Sequence, residues 1–251
     1  MGKKAKEKDQ QKDKKPVVKI NINWRKLLLV WSPRIIVALM FIEIGYVLGL
    51  MPDWDQFIYG PVQKSRVIQQ YEYERTQHPD WPTLDWRPVQ MEYIPDHLKR
   101  AVVVAEDSRF YQHKGFDQEA IKQAIEYNID KGRVVYGAST ISQQTIKNFA
   151  LSHSRDPLRK LHEVILTYFM ERNVGKKRIL EIYLNIVEFG RGIYGVEAAA
   201  QTYFNKSVNE LTPYESVELA ATLPAPIGNN PATRTDFFIK HRDKIQRHLG
   251  L

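Results

Sequence analysis

Residues 95–117 read Pro-Asp-His-Leu-Lys-Arg-Ala-Val-Val-Val-Ala-Glu-Asp-Ser-Arg-Phe-Tyr-Gln-His-Lys-Gly-Phe-Asp. Leu98, Ala101, Val102 and Ala105 recur at i, i+3, i+4 and i+7, one face of a helix that Pro95-Asp96 can start. Glu106 and Asp107 close that apolar stripe, and the chain turns at Gly115. A carboxylate at the edge of an apolar face can have its pKa raised and serve as a general acid or base. The plain alternative is a solvated acidic pair at a helix end, so the surrounding chain has to decide.

Downstream, the pattern is almost wholly helical. Asp117 can cap a helix from Gln118 to Asp130 that turns Ala120, Ile121, Ala124 and Ile125 inward and ends before Gly132. Ser139 can cap a helix to Phe149, and Asp156-Pro157 opens another. An apolar run from Ile179 to Leu184 ends at Asn185. Gly190, Gly192 and Gly195 form a turn before a helix from Val196 to Phe204. Thr212-Pro213-Tyr214-Glu215 is a capping box before a helix that stops at Pro224, and Asp236 to Leu249 forms the last helix. Strand signals are few, so the domain is mainly α.

Upstream, the chain reads as a membrane anchor. The net charge of +8 is a tail rather than a groove: residues 1–26 hold ten Lys/Arg and three Asp/Glu, which is +7 of the total. That location argues against a nucleic-acid partner. Residues 27–51 are apolar apart from Ser32-Pro33-Arg34 and Glu43, and Ile35 to Met51 meets the lower limit of a bilayer span. No small-x-small cleavage site follows Leu50-Met51-Pro52-Asp53, so an uncleaved transmembrane anchor is expected. The Lys/Arg excess puts the N-terminus in the cytoplasm and everything after residue 52 outside. Glu43 reads equally as a contact with a partner helix or as a charge tolerated in a bent or shallow one. Residues 52–85, rich in aromatics and Pro, read as a juxtamembrane connector with a helix around Val62–Thr76, and 86–251 as the main helical domain. The chain has no cysteine, which excludes disulfides, a thiolate nucleophile and thiolate metal sites.

Two further stretches suit an anionic ligand. Ser139, Gln143 and Lys147 are four apart, so one helix face would present a hydroxyl, an amide and an ammonium near a helix N-terminus. Arg159-Lys160-Leu161-His162-Glu163 lies on a helix whose other face is Leu158, Leu161 and Ile165; an Arg–Glu pair four apart is more often surface support. His113 and His162 have no second His at ligand spacing and read as hydrogen-bonding or surface residues.

Taken in order, the segments EDSRFYQHKG (106–115), GASTISQQTIKN (137–148), RKLHE (159–163), KKRILEIYLN (176–185) and GVEAAAQTYFNK (195–206) resemble the peptidoglycan glycosyltransferase domain. That domain occurs in monofunctional biosynthetic transglycosylases and in class A penicillin-binding proteins. The resemblance covers about residues 86–247; Ser142 stands where Thr is usual. No Ser-x-x-Lys or Lys-Thr-Gly appears, so the monofunctional type is expected.

The resemblance implies a mainly α, lysozyme-like fold with a membrane-bound entrance. It implies polymerisation of lipid II into β-1,4-linked glycan with inversion and release of undecaprenyl pyrophosphate. On this analogy Glu106 is the base, and Lys147, Arg159 and Lys160 meet the leaving group. Glu163, the second catalytic carboxylate, would orient those cations or contact a divalent metal, Mg²⁺ or Mn²⁺. Asp107, Phe110, His113, Ser139, Thr140, Gln143, Gln144, Asn148, Lys176 and Asn185 complete the expected substrate-binding set. No organic cofactor is implied. Expected partners are lipid II, the growing glycan chain, the membrane and cell-wall synthesis or division proteins. Val134-Val135-Tyr136 reads equally as an interfacial loop or as core. The competing functions are a lysozyme-like peptidoglycan-cleaving enzyme and a non-catalytic scaffold.

Overall fold

A computed structural model describes residues 24–133, 137–151 and 158–251. Three expectations fall outside the described residues: the basic tail 1–26 as far as residue 23, the Val134-Val135-Tyr136 loop and the Asp156-Pro157 helix start. The chain divides into two units, residues 1–46 and 47–251.

Most of helix α1 (Trp24–Leu50) belongs to the first unit. Its 27 residues span about 40 Å at 1.5 Å per residue, more than the ~30 Å of a bilayer core. It is the one helix among the described residues long and apolar enough to cross a membrane. Ser32-Pro33-Arg34, which reads as an interruption, lies inside the continuous helix. Pro33 removes one ladder hydrogen bond, while the Arg34 guanidinium donates to the Val30 carbonyl at 2.7 Å. From Leu28 to Tyr46 the large apolar side chains are exposed, the inverse of a soluble helix.

The second unit is a helical body with one small sheet. After α2 (Trp54–Tyr59) comes α3 (Arg66–Gln77), capped by the fully buried Ser65. The amphipathic run predicted around Glu106 is α4 (Asp96–Glu106), with Leu98, Ala101 and Val102 in the core. It packs on α10 (Pro213–Thr222) and α11 (Asp236–Leu249). Between them lie α5 (Gln118–Lys131), α6 (Ile141–Ala150), α7 (Arg159–Asn173), α8 (Lys176–Ile186) and α9 (Val196–Phe204). α6 packs against both α7 and α8 and is the spine on which the polar centre is built.

Several ends follow from the local sequence. Asp117 caps α5 and Gly132 ends it in the left-handed region, as their residue types favour. Thr212 and Glu215 form the capping box of α10. The cap of α6 is Thr140 rather than Ser139, one residue later than expected. The Thr140 hydroxyl accepts from Gln143 N–H while Gln143 Oε1 accepts from Thr140 N–H at 3.1 Å. A reciprocal box satisfies two helix-end donors where a lone Ser satisfies one.

Strands β1 (Asp85–Trp86), β2 (Glu188–Gly190) and β3 (Ile193–Tyr194) make a sheet in the order β1-β3-β2, β1 parallel and β2 antiparallel to β3. The segment expected as a connector thus packs into the second unit. Asn185, with no solvent exposure, accepts from Val89 N–H at 2.7 Å and donates to the Val89 and Glu181 carbonyls. Its own carbonyl accepts from the Trp86 indole. Arg178 donates to the Phe57 and Gly60 carbonyls and pairs with Glu181 at 3.0 Å.

Two helices depart from the predicted sidedness. On α5, Ala124 is buried but Ile121, Ile125 and Ile129 are exposed, Ile129 at 74%. On α7, His162, Glu163, Leu166 and Thr167 face inward, whereas Leu161, Val164, Tyr168 and Phe169 face out. On α7 Glu163 faces inward because Lys160, Arg159 and the Gln143 amide meet it there, whereas α5 is exposed nearly all round and buries Ala124 alone.

Candidate active site

Glu106 ends α4, where Asp107 takes over as the helix cap. One oxygen of the Glu106 carboxylate accepts a 2.6 Å hydrogen bond from the Gln144 amide on α6. Burial pushes its pKa up; the Gln144 hydrogen bond and the Lys147 charge oppose this, and the Asp107 charge adds to it. Burial in turn pushes Lys147 down, with Glu163 and Glu106 holding it up and Arg159 and Lys160 pressing it down. Three cations and two carboxylates therefore share one field.

Glu163 is buried on α7. Its carboxylate pairs with Lys160, with Arg159 at 3.4 Å, and with the Gln143 amide at 3.3 Å. Arg159 and Lys160 are on the first turn of α7, so residues three and four later fall on the same side. The i, i+4 pair expected as surface support is thus half inside.

Asp107 points away from Glu106's task. Its carboxylate accepts from Ile141 N–H at 3.0 Å, at the N-terminus of α6, and sits 3.0 Å from His113 Nε2. Asp107 therefore ties the end of α4 to the start of α6.

Beside Glu106 and Asp107 lies a polar pocket of about 290 Å³ lined also by Ser108, Arg109, Asp117 and Ser139. Arg109 bonds Asp117 with two nitrogens, and this pairing holds the Asp117 pKa down to about 2. The sequence reading missed Arg109; its position two residues after Asp107 and eight before the α5 cap was the available signal.

Not every expected substrate residue reaches this cleft. Phe110 has no exposure and belongs to the core. Lys176 pairs with Glu171 at 2.7 Å and lies 4.3 Å from the Phe110 ring centre, so it is a strut between α7 and the turn after α4. Glu171 also accepts from Ser142, and a side chain at Gly115 (φ +91°) would press on Thr167 and Glu171. Asn185 spends its amide on backbone, as described above. Thr140 donates to the Gly115 carbonyl at 2.6 Å and is buried. Ser139 and Asn148 remain accessible, but Ser139 precedes α6 and does not share a helix face with Gln143 and Lys147.

The expected metal contact of Glu163 does not fit this geometry, since among the described residues every partner of its carboxylate is a cation or an amide donor. Among the described residues, Asp107, His113 and Asp117 bring ligand atoms within 4.8 Å of one another. Arg109 neutralises Asp117, while Asp107 is engaged by His113 and Ile141. A divalent ion needs oxygens with uncompensated negative charge; Glu163 and Asp117 are paired with Lys or Arg, and Asp107, held by a His and a backbone N–H, is the one carboxylate of the two sets without such a pair among the described residues.

The chain was compared with known proteins. Residues 76–249 match the transglycosylase family model. Over 232 residues the chain is 38% identical to the biosynthetic peptidoglycan transglycosylase of Herminiimonas arsenicoxydans, covering 90% of this chain and 96% of that protein. It is 44% identical over 205 residues to the protein of that name from Shewanella oneidensis, covering 80% and 82%. It is 49% identical over 162 residues to that from Thiobacillus denitrificans, covering 64% and 70%. A helical body that carries one buried and one half-buried carboxylate among three cations, matched at this length and identity, belongs to the biosynthetic peptidoglycan transglycosylases.

Proposed function

We propose that this enzyme polymerises lipid II, with Glu106 as general base and Lys147, Arg159 and Lys160 as the leaving-group site. Glu106 takes the proton of the acceptor sugar's 4-hydroxyl. That oxygen forms the new bond to the anomeric carbon of the growing chain, and the bond from that carbon to the diphosphate oxygen breaks. The electron pair leaves with undecaprenyl diphosphate, and the centre inverts. Charge grows on the diphosphate as the bond breaks, so fixed cations lower the barrier most where the site excludes water. Glu163 holds Arg159 and Lys160 in place and keeps three close cations from repelling one another.

The observation that carries this reading is the pairing of a desolvated base with a cation cluster. A glycan-cleaving enzyme needs a carboxylic acid to protonate a neutral leaving oxygen and has no use for three cations. Topology follows from charge: the Lys/Arg-rich side of α1 in the cytoplasm, the catalytic unit on the outer face of the inner (cytoplasmic) membrane. The exposed apolar side chains of α5 and α7 sit on a helix that lines the pocket and on the helix that carries Glu163, and a lipid-linked substrate suits them. Cell-wall synthesis or division proteins are the further partners this placement would allow.

The test is incubation of the purified full chain with labelled lipid II. Glycan polymer from wild type and none from Glu106→Gln supports the reading. Equal polymer from both proteins, or cleavage of preformed glycan, overturns it.

A further inference from the structure

Gln144 lies between two residues that the sequence separates widely. Its Nε2 donates to Glu106 at 2.6 Å, and its Oε1 accepts from the Tyr183 hydroxyl of α8 at 3.2 Å. We propose that Tyr183 is a positioning residue for the transfer: its hydroxyl fixes which end of the Gln144 amide faces Glu106. The inference rests on the reading of Glu106 as the base and adds to it the device that keeps the base aimed and ionised.

Three physical facts converge. Tyr183 has no solvent exposure, and burial raises its pKa well above the ordinary value, so the hydroxyl keeps its proton. A buried hydroxyl needs an acceptor, and the Gln144 oxygen is the one it meets. A flipped amide would set its oxygen against the Glu106 carboxylate, and the Tyr183 hydroxyl, turned to accept from the NH₂, would leave its own buried proton without the Gln144 acceptor. The amide therefore has one stable orientation, and in it a donor points at the base.

The base needs that donor. Burial favours the protonated, inactive carboxylic acid, and Asp107 works in the same direction. Opposing them are the Gln144 hydrogen bond and the Lys147 charge, itself shared with Glu163, Arg159 and Lys160. From α8 the group facing Glu106 is Tyr183, which is neutral. A donor to the ionised form lowers a carboxyl pKa, so losing it raises the pKa and shifts the acidic limb of kcat/KM to higher pH.

The experiment is a double-variant cycle on the full chain with labelled lipid II as substrate. Tyr183→Phe keeps the ring in the core and removes the oxygen alone. It should lower kcat about tenfold, move the acidic limb upward and leave KM near wild type. Gln144→Ala should do the same, and the double variant should be no worse than Gln144→Ala, because Tyr183 acts only through Gln144. A partial loss of folded protein scales the whole profile without moving its limb, so the limb reports positioning even if stability drops. An unmoved limb in Tyr183→Phe, or multiplicative losses in the double variant, overturns the inference while an inactive Glu106→Gln leaves the base intact. Wild-type activity in Glu106→Gln overturns both.

Discussion

The Gln143 amide donates to the Glu163 carboxylate at 3.3 Å, so the first turn of α6 and the second turn of α7 share one buried hydrogen bond. Glu163 thus links a helix start to the cation cluster. Glu163→Gln should leave Lys160 and Arg159 without their counter-charge and lower polymerisation of lipid II by about 100-fold. It should also cost a few °C in Tm. Steady-state kinetics with a thermal melt checks both; a variant with wild-type rate removes Glu163 from the machinery.

Lys147→Met keeps most of the side-chain volume and deletes the charge between the two carboxylates. The leaving-group site loses a cation and Glu106 loses one of the two influences that hold its pKa down. We expect a rate loss of about 10²–10³ together with an acidic limb shifted to higher pH. A rate loss with an unmoved limb would mean that Lys147 does not act on Glu106.

Glu188 lies in a pocket walled by Tyr71, Trp81, Tyr194 and Arg191, and burial pushes its pKa up to about 7 against the pull of Arg191. An acid whose pKa is raised on folding binds its proton more tightly when folded. Stability therefore falls as pH rises from the unfolded value of about 4.5 to about 7, and the loss is complete above that. Glu188→Gln should remove the loss: roughly 1 kcal/mol of added stability at pH 8, after allowance for solvent, and almost none at pH 4. Melts at the two pH values check the sign. Stabilisation at pH 4 alone would contradict it.

Asn185→Ala deletes a fully buried amide that serves Val89 and Glu181. The backbone donor of Val89 would lose its partner, which costs about 2–4 kcal/mol with the lost packing. Urea unfolding measures this. The acidic limb of the pH profile should not move, since Asn185 does not touch Glu106.

What the chain disclosed before its structure depended on how local each cause was. Caps are local: Asp117 and Gly132 on α5 and the Thr212–Glu215 box on α10 stand where their residue types predict. The cap of α6 was misplaced by one residue, because Ser139 and Thr140 are chemically alike and only the reciprocal bond to Gln143 separates them. The sidedness of α7 was read inverted and α5 was read as half-buried where it buries Ala124 alone, because periodicity reports where apolar residues lie and not which medium they face. Two-residue strands carry too little pattern to be read at all. In the site, Glu106 and Glu163 lie with the cations expected beside them, whereas Lys176 and Asn185 are engaged as struts. Tyr183 was invisible as a partner of Gln144, since nothing local joins residues 39 apart.

Gln143 and Gln144 are consecutive, hence about 100° apart around α6, and each serves a different carboxylate. The enzyme's two acids are thereby calibrated by the rotation of a single ten-residue cylinder. A small molecule wedged between α6 and α8 would need only to roll that cylinder by a fraction of a turn. Both acids, and Lys147 on the same helix, would then lose their alignment, a route to inhibition that owes nothing to resemblance to the substrate.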